Sequence, residues 1–305
     1  MDNIWTRRDV VKLTAAAGLL PARTIAIAED ETMMTRKVPV SGEELPVIGL
    51  GTWQVFDVRS TPDEIGLRRQ IVDLLIDRGG SLIDTSPMYN RAEQVIGDVL
   101  AASGNRDELF LATKVWTDGK AAGERQMQQS ADLMKTDVID LMQVHNRRDL
   151  DTHFATIREW QQQKRIRYNG VTDYRESAHD EMEAVIERYR PDFIQINYSL
   201  GEHAADDRLL PLARDRGVAV LVNRPFMSGR LFRAVENRDL PDWSRSFADS
   251  WGQFLLKFIV GHPSVTAVIP ATSKLHHMRD NLGAGFGEMP DAAMRERMIS
   301  FIDSV

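Results

Sequence analysis

Between residues 81 and 145 the chain reads Ser81-Leu82-Ile83-Asp84, a helical stretch over 91–102, Leu109-Phe110-Leu111-Ala112-Thr113-Lys114, a second helical stretch over 124–134, and Val138-Ile139-Asp140-Leu141-Met142-Gln143-Val144-His145. The three apolar runs are strand-length, and in the first intervening segment Val95, Ile96, Val99 and Leu100 fall on one buried helical face. Strand, helix, strand, helix, strand is the signature of parallel strands joined by crossover helices. Each run also closes on, or just before, a side chain that can do chemistry.

The same alternation continues in both directions. Strands are predicted at Val47–Leu50, Ser81–Asp84, Leu109–Lys114, Val138–Val144, Tyr168–Val171, Phe193–Ile196, Ala219–Val222 and Ala267–Ile269. Helices are predicted at Pro62–Asp77, Arg91–Ala102, Glu124–Met134, Thr152–Gln163, Ala178–Arg188, Arg208–Arg216, Phe247–Ile259 and Leu275–Leu282. Eight such units are enough to close a (β/α)8 TIM barrel, an α/β fold. Ahead of them, Val38–Val40 and Leu45–Val47 flank Ser41-Gly42-Glu43-Glu44 and predict a β-hairpin able to plug the barrel floor. A last helix over Asp291–Asp303 would lie outside. No linker, repeat or low-complexity tract divides the chain, so a single barrel domain over 34–305 is expected.

Composition narrows the chemistry. Of 305 residues 43% are apolar and 27% charged, which suits a globular chain. There is no Cys, which removes thiol nucleophiles, Cys-based zinc sites and iron–sulfur ligation. The seven His never show the spacing of a metal-binding helix beside a Glu, so no metal is expected. A net charge of -7 gives no global support for binding nucleic acid or anionic membrane. A small-molecule role, by a monomer or weak oligomer, is favoured.

Residues 1–28 differ in kind. Arg7-Arg8 and Lys12 precede a mildly apolar Leu13–Leu20 and an Ala26-Ile27-Ala28 cleavage pattern, the order of a secretory signal. The apolar stretch is far short of the roughly 20 residues that span a bilayer, so it is no stable membrane anchor. The paired arginines resemble a twin-arginine signal, which implies the twin-arginine export machinery as a partner and a periplasmic destination.

In a barrel of parallel strands, catalytic groups sit at the carboxyl ends. Asp84, Lys114 and His145 stand at consecutive strand ends, and Tyr89 follows the first of them in Thr85-Ser86-Pro87-Met88-Tyr89. Singly each has an ordinary structural explanation; together they converge on one mouth. A Tyr hydroxyl serves as a general acid when a cation favours its phenolate, Lys114 supplies that cation, and Asp84 keeps the lysine charged. His145 would donate to a carbonyl oxygen and orient it. Nothing in this set carries two electrons, so a hydride donor must come from a bound cofactor. Trp53 and Trp116, which also follow strand ends, are candidates to line an apolar substrate pocket.

At these residues the chain resembles the aldo/keto reductases. The blocks are Gly49-Leu50-Gly51-Thr52-Trp53, Ile83-Asp84-Thr85-Ser86 with Tyr89, Ala112-Thr113-Lys114-Val115-Trp116, Asp140–His145, Gly170-Val171-Thr172-Asp173-Tyr174, Gln195-Ile196-Asn197-Tyr198, and Val268-Ile269-Pro270-Ala271-Thr272 followed by Asn281. The resemblance implies a (β/α)8 barrel that uses NADP(H), with NAD(H) as the less frequent alternative, to reduce aldehydes and ketones, and a catalytic tetrad at Asp84, Tyr89, Lys114 and His145. It implies cofactor contacts at Thr52, Asp84, Thr172, Asp173, Gln195, Thr272, Ser273, His277 and Asn281. Three places depart from the family pattern. Thr172-Asp173 replaces a Ser-Asn that clasps the nicotinamide amide, and Asp can only accept from that amide. Arg224 falls where a stacking Tyr is frequent, and its guanidinium can stack or contact phosphate. Ala271 and His277 stand where Lys and Arg often hold the adenosine phosphate, leaving that task to Thr272, Ser273, Lys274 and a helix amino end. These departures keep open a second reading: a non-catalytic cofactor-binding barrel acting as a redox sensor or docking module.

Overall fold

The computed structural model describes residues 32–305. The segment read as an export signal lies outside them. The described chain begins with an antiparallel pair, β1 (Thr35–Lys37) and β2 (Glu44–Pro46). Next come β3 (Leu50–Gly51), α1 (Pro62–Asp77), β4 (Leu82–Asp84), α2 (Ala92–Ser103), β5 (Phe110–Val115), α3 (Lys120–Met134), β6 (Ile139–His145), α4 (Leu150–Gln162), β7 (Ile166–Thr172) and α5 (His179–Tyr189). The second half holds β8 (Phe193–Asn197), α6 (Leu209–Asp215), β9 (Ala219–Asn223), α7 (Arg230–Ala234), α8 (Trp251–Val260), β10 (Ala267–Val268), α9 (Leu275–Gly283) and α10 (Ala292–Asp303). Strands β3 to β10 pair in parallel with their sequence neighbours. Parallel bridges Ile48–Val268 and Gly51–Ala271 join the first strand to the last and close the barrel.

Alternation along each strand sorts side chains between two cores. Ile83, Leu111, Met142, Val144, Val171, Ile194 and Val220 face the helices. Leu82, Phe110, Ala112, Leu141, Tyr168, Phe193, Leu221 and Ile269 fill the interior and meet Val38 and Leu45 from below. The hairpin does plug the floor. Two residues further along the inward faces come Asp84, Lys114, Gln143, Gln195 and Asn223, so the interior turns polar one layer below the mouth.

Several boundaries differ from the expectation. The first strand is Leu50–Gly51 rather than Val47–Leu50; Val47 joins the barrel by accepting from Val268 N. Val38–Val40 is not a strand: Pro39 has no N–H for a ladder, and Val38 N and Gly42 N bond Glu43 O and Val38 O across the turn. Gly42 takes the left-handed φ of 76° that this turn needs. The helix expected from Phe247 starts at Trp251, because the Ser250 hydroxyl accepts from Gln253 N at 3.0 Å and caps it there. Helix α1 starts where expected, with Thr61 as cap, Pro62 in its first turn and Asp63 and Glu64 at its positive end.

The floor is also tied by charge. Asp140 accepts from Arg106 at 2.8 Å and Arg167 at 2.7 Å, and Glu43 of the hairpin accepts from Arg167 and Tyr168, both at 2.5 Å. Burial would raise the Glu43 carboxyl, but these two donors outweigh it and hold it below its ordinary value.

Candidate active site

Asp84 ends β4 on the inward face and is almost fully buried. Its carboxylate accepts from Lys114 Nζ at 2.6 Å, Gln195 Nε2 at 2.8 Å and Gln143 Nε2 at 3.1 Å. Thr52 closes the other side, its hydroxyl donating to Asp84 O at 3.0 Å. Lys114, wholly inaccessible on β5, donates also to Thr85 O at 2.6 Å. Burial alone would drive the ammonium to lose its proton, but the Asp84 charge and the Tyr89 hydroxyl outweigh it and raise the lysine above its ordinary value.

Tyr89 is presented by the turn after β4, where Tyr89 N bonds Ser86 O at 2.9 Å. Its ring centroid lies 5.2 Å from Lys114 Nζ. The cation favours the phenolate, as the sequence implies. Burial of the phenol is the larger influence, and the Tyr89 pKa is raised despite Lys114. Tyr89 is therefore a firmly protonated donor at neutral pH.

His145, at the end of β6, stands edge-on to Tyr89 at 6.4 Å and 6.3 Å from the Trp116 ring. Burial, assisted by the Lys114 charge, lowers its pKa to about 3, so the ring is neutral. Its Nδ1 is 3.3 Å from the Ser86 hydroxyl, which itself accepts from Met88 N at 3.2 Å. With Ser86 donating to Nδ1, the ring proton resides on Nε2.

These groups border a cavity of about 670 Å³, within the range of small-molecule sites. Asp84, Tyr89, His145, Thr52, Trp53, Trp116, Thr172, Gln195 and Arg224 all line it, so most of the residues singled out in the sequence meet in one place. Lys114 lies behind Asp84. Asp173 does not line the cavity: Arg175 holds both of its carboxylate oxygens at 3.0 and 2.9 Å, and Arg147 approaches to 3.3 Å. Burial would raise that carboxyl, but the two arginines keep it low. Thr272, Ser273, His277 and Asn281 lie outside the cavity lining; the Thr272 hydroxyl accepts from Lys274 N, Asn281 is buried and His277 is exposed.

The sequence reading passed over Asn223, Tyr174 and Asn146. Asn223 shares the inward face of β9 with Ala219 and Leu221, so alternation alone marks it. It, not Arg224, is the strand-end side chain. Its Nδ2 reaches Gln195 Oε1 and Asp173 O, both at 3.4 Å, while its buried Oδ1 has no partner. Thr172 donates to the same Gln195 oxygen at 3.3 Å. An unpartnered buried acceptor beside two polar side chains suits a primary carboxamide, which brings both N–H donors and a carbonyl. The nicotinamide end of the cofactor fits this donor set.

The chain is 27% identical over 259 residues to methylglyoxal reductase YeaE of Escherichia coli, covering 82% of this chain and 89% of that one. It is 24% identical over 290 residues to the uncharacterized oxidoreductase YqkF of Bacillus subtilis, covering 83% and 91%. An aldo-keto reductase from Klebsiella pneumoniae, solved in complex with NADPH, superposes with a TM-score of 0.76 at 25% identity over 88% of this chain and 96% of that one. Residues 47–297 match the model of the aldo/keto reductase family, and the chain belongs to that family.

Proposed function

We propose that this chain is an NADP(H)-dependent carbonyl reductase in which Tyr89 is the proton donor. The observation that carries the reading is a phenol at a cavity wall beside a buried ammonium that Asp84 and Thr85 O anchor, with Gln143 and Gln195 holding the Asp84 carboxylate. When bound, the nicotinamide supplies the hydride for the carbonyl carbon. Thr172, Gln195 and Asn223 would hold its carboxamide. His145 Nε2–H and the Tyr89 hydroxyl both donate to the carbonyl oxygen and draw charge onto it. Tyr89 then gives its proton to that oxygen, and the Lys114 ammonium offsets the charge left on the phenolate. Asp84 and the two glutamines keep the ammonium from shifting.

The test is turnover of NADPH, followed by nicotinamide absorbance, with a panel of aromatic and aliphatic aldehydes. Consumption in step with alcohol formation is expected. A bound cofactor with no consumption across the panel would support the sensor reading instead.

We also propose that residues 1–28 direct the protein through the twin-arginine route to the periplasm. The Arg7-Arg8 pair and the Ala26-Ile27-Ala28 pattern support it. Cell fractionation with and without Arg7→Lys and Arg8→Lys tests it; cytoplasmic retention of the unaltered protein would refute it.

A further inference from the structure

Large apolar side chains are exposed at the cavity mouth: Trp53, Met88 and Tyr174 line it, and Phe232 packs at 4.8 Å on Phe226, which also lines it. Among the described residues, Val40 in the floor hairpin is the remaining large hydrophobic exposed to solvent. An apolar rim around a concave site marks where a ligand body rests.

Set into this rim is one cation. Among the described residues, Arg224 is the one Lys or Arg that lines the cavity. Other arginines of the loops that follow the strands are paired: Arg147 with Asp173 and Glu181, Arg175 with Asp173, Arg148 with Asp118, and Arg230 with Glu202. Arg224 has no carboxylate within ion-pair distance among the described residues; its guanidinium lies 5.4 Å from the Tyr174 ring centroid. A half-buried guanidinium over an aromatic ring at a cavity wall suits a carboxylate or phosphate. The stack also gives it a direction. Tyr174 follows β7, so the guanidinium turns from β9 back over the apolar rim, away from the 272–281 segment expected to hold the adenosine phosphate.

We propose that Arg224 binds a carboxylate on the substrate, and that the preferred substrates are aldehydes or ketones with an aromatic or extended apolar body ending in that carboxylate. The proposal rests on the carbonyl-reductase reading for its chemistry but not for its ligand contact. The same guanidinium chemistry would also accept the cofactor diphosphate, so the experiment has an arm for each source.

In the first arm, kcat/KM is compared for 3- and 4-carboxybenzaldehyde, their methyl esters, and straight-chain aldehydes with terminal carboxylates of graded length. The best carboxylate is expected to exceed its neutral ester by roughly 10- to 100-fold, the range of a charge-assisted hydrogen bond. In Arg224→Gln that ratio should fall to within about threefold of one, and Arg224→Lys should restore part of it. In the second arm, NADPH affinity is measured by fluorescence and should change less than about threefold in Arg224→Gln. No carboxylate preference in the unaltered protein overturns the proposal. So does a preference that survives Arg224→Gln while NADPH affinity falls tenfold, which would assign the cation to the diphosphate. Benzoate against benzamide binding to the NADPH complex needs no turnover. Arg224-dependent benzoate binding without aldehyde reduction would sustain the anion site and reject the reductase reading.

Discussion

The two ends of this barrel are built on opposite principles. At the floor, Val38 and Leu45 complete an apolar interior, and Glu43, Asp140, Arg106 and Arg167 neutralise one another. At the mouth, a guanidinium lacks an acid, the buried oxygens of Asn223 and Asn146 lack partners, and aromatic rings face solvent. Backbone conformation divides the same way. Lys135 and Arg190 take left-handed angles as helix terminators, each with its N–H bonded back to the helix. Asn146, Arg224 and Ser228 take them in loops bordering the cavity, where the cost of about 1–3 kcal/mol each ends no helix. The floor pairs its acids with its arginines, although Arg36 Nε of the hairpin has no partner; the mouth leaves a cation and two amide oxygens for a ligand.

That division can be broken by substitution. The largest effect should come at the mouth: Tyr89→Phe should lower kcat/KM about 1000-fold, about 4 kcal/mol, with NADPH affinity and urea midpoint near those of the unaltered protein. A comparable loss of stability would show that the mouth also holds the fold. Next, Leu45→Ala at the floor should cost about 3 kcal/mol in urea unfolding and leave kcat/KM within about threefold. If it instead altered turnover strongly, the plug would be part of the site.

Ser86→Ala sharpens the comparison within the mouth. Removing the hydroxyl that faces His145 Nδ1 should lower kcat/KM about tenfold, about 1.4 kcal/mol, and let imidazole ¹⁵N shifts report a mixed tautomer. Stability should be nearly unchanged. A fall in kcat/KM with a single tautomer retained would remove this role from Ser86.

The smallest effect concerns pH. His145, with a pKa of about 3, stays neutral well into acid, so it should contribute no titration to kcat between pH 5 and 9. Turnover in the reducing direction should fall only as pH rises through the elevated Tyr89 value. His262 is held neutral to about 4 by burial and the Arg295 charge. For both histidines the folded pKa lies below the unfolded 6.5, so their contribution to stability is complete above 6.5 and lost as pH falls toward 4 and 3. Urea midpoints from pH 7 to 4 measure this, and His262→Gln should flatten the slope.

The strands and the three strand-end members of the proposed tetrad were legible because both depend on alternation, whereas Tyr89, in the turn after β4, was marked only by its place in the block that follows Asp84. Asp84, Lys114 and His145 each end an apolar run on its inward parity, and the same parity would have yielded Gln143 and Asn223. Loops carry no such period. Tyr174 and Asn146 lie one or two residues past the strand ends, where only the three-dimensional path decides whether a side chain turns inward. The partners of Asp173 were not legible for a related reason: they include its near neighbour Arg175 and Arg147, which arrives from the loop after β6. The Lys114 charge does favour the phenolate, but the net direction of the Tyr89 shift is not legible in sequence, because burial, which no spacing reveals, outweighs that charge.

The closing joint of the barrel is its shortest. Strands β3 and β10 have two residues each, and a Cβ on Gly51 would sit 2.7 Å from Ile269 O. As a hoop, the sheet has a fastening, and the fastening runs along the edge of the cavity through Gly51 and Ala271. Under load it should part there before the long pairings of β5, β6 and β7 yield. Opening would carry Thr52 and Trp53 away from Ala271 and dismantle the binding site while most of the cylinder still stood.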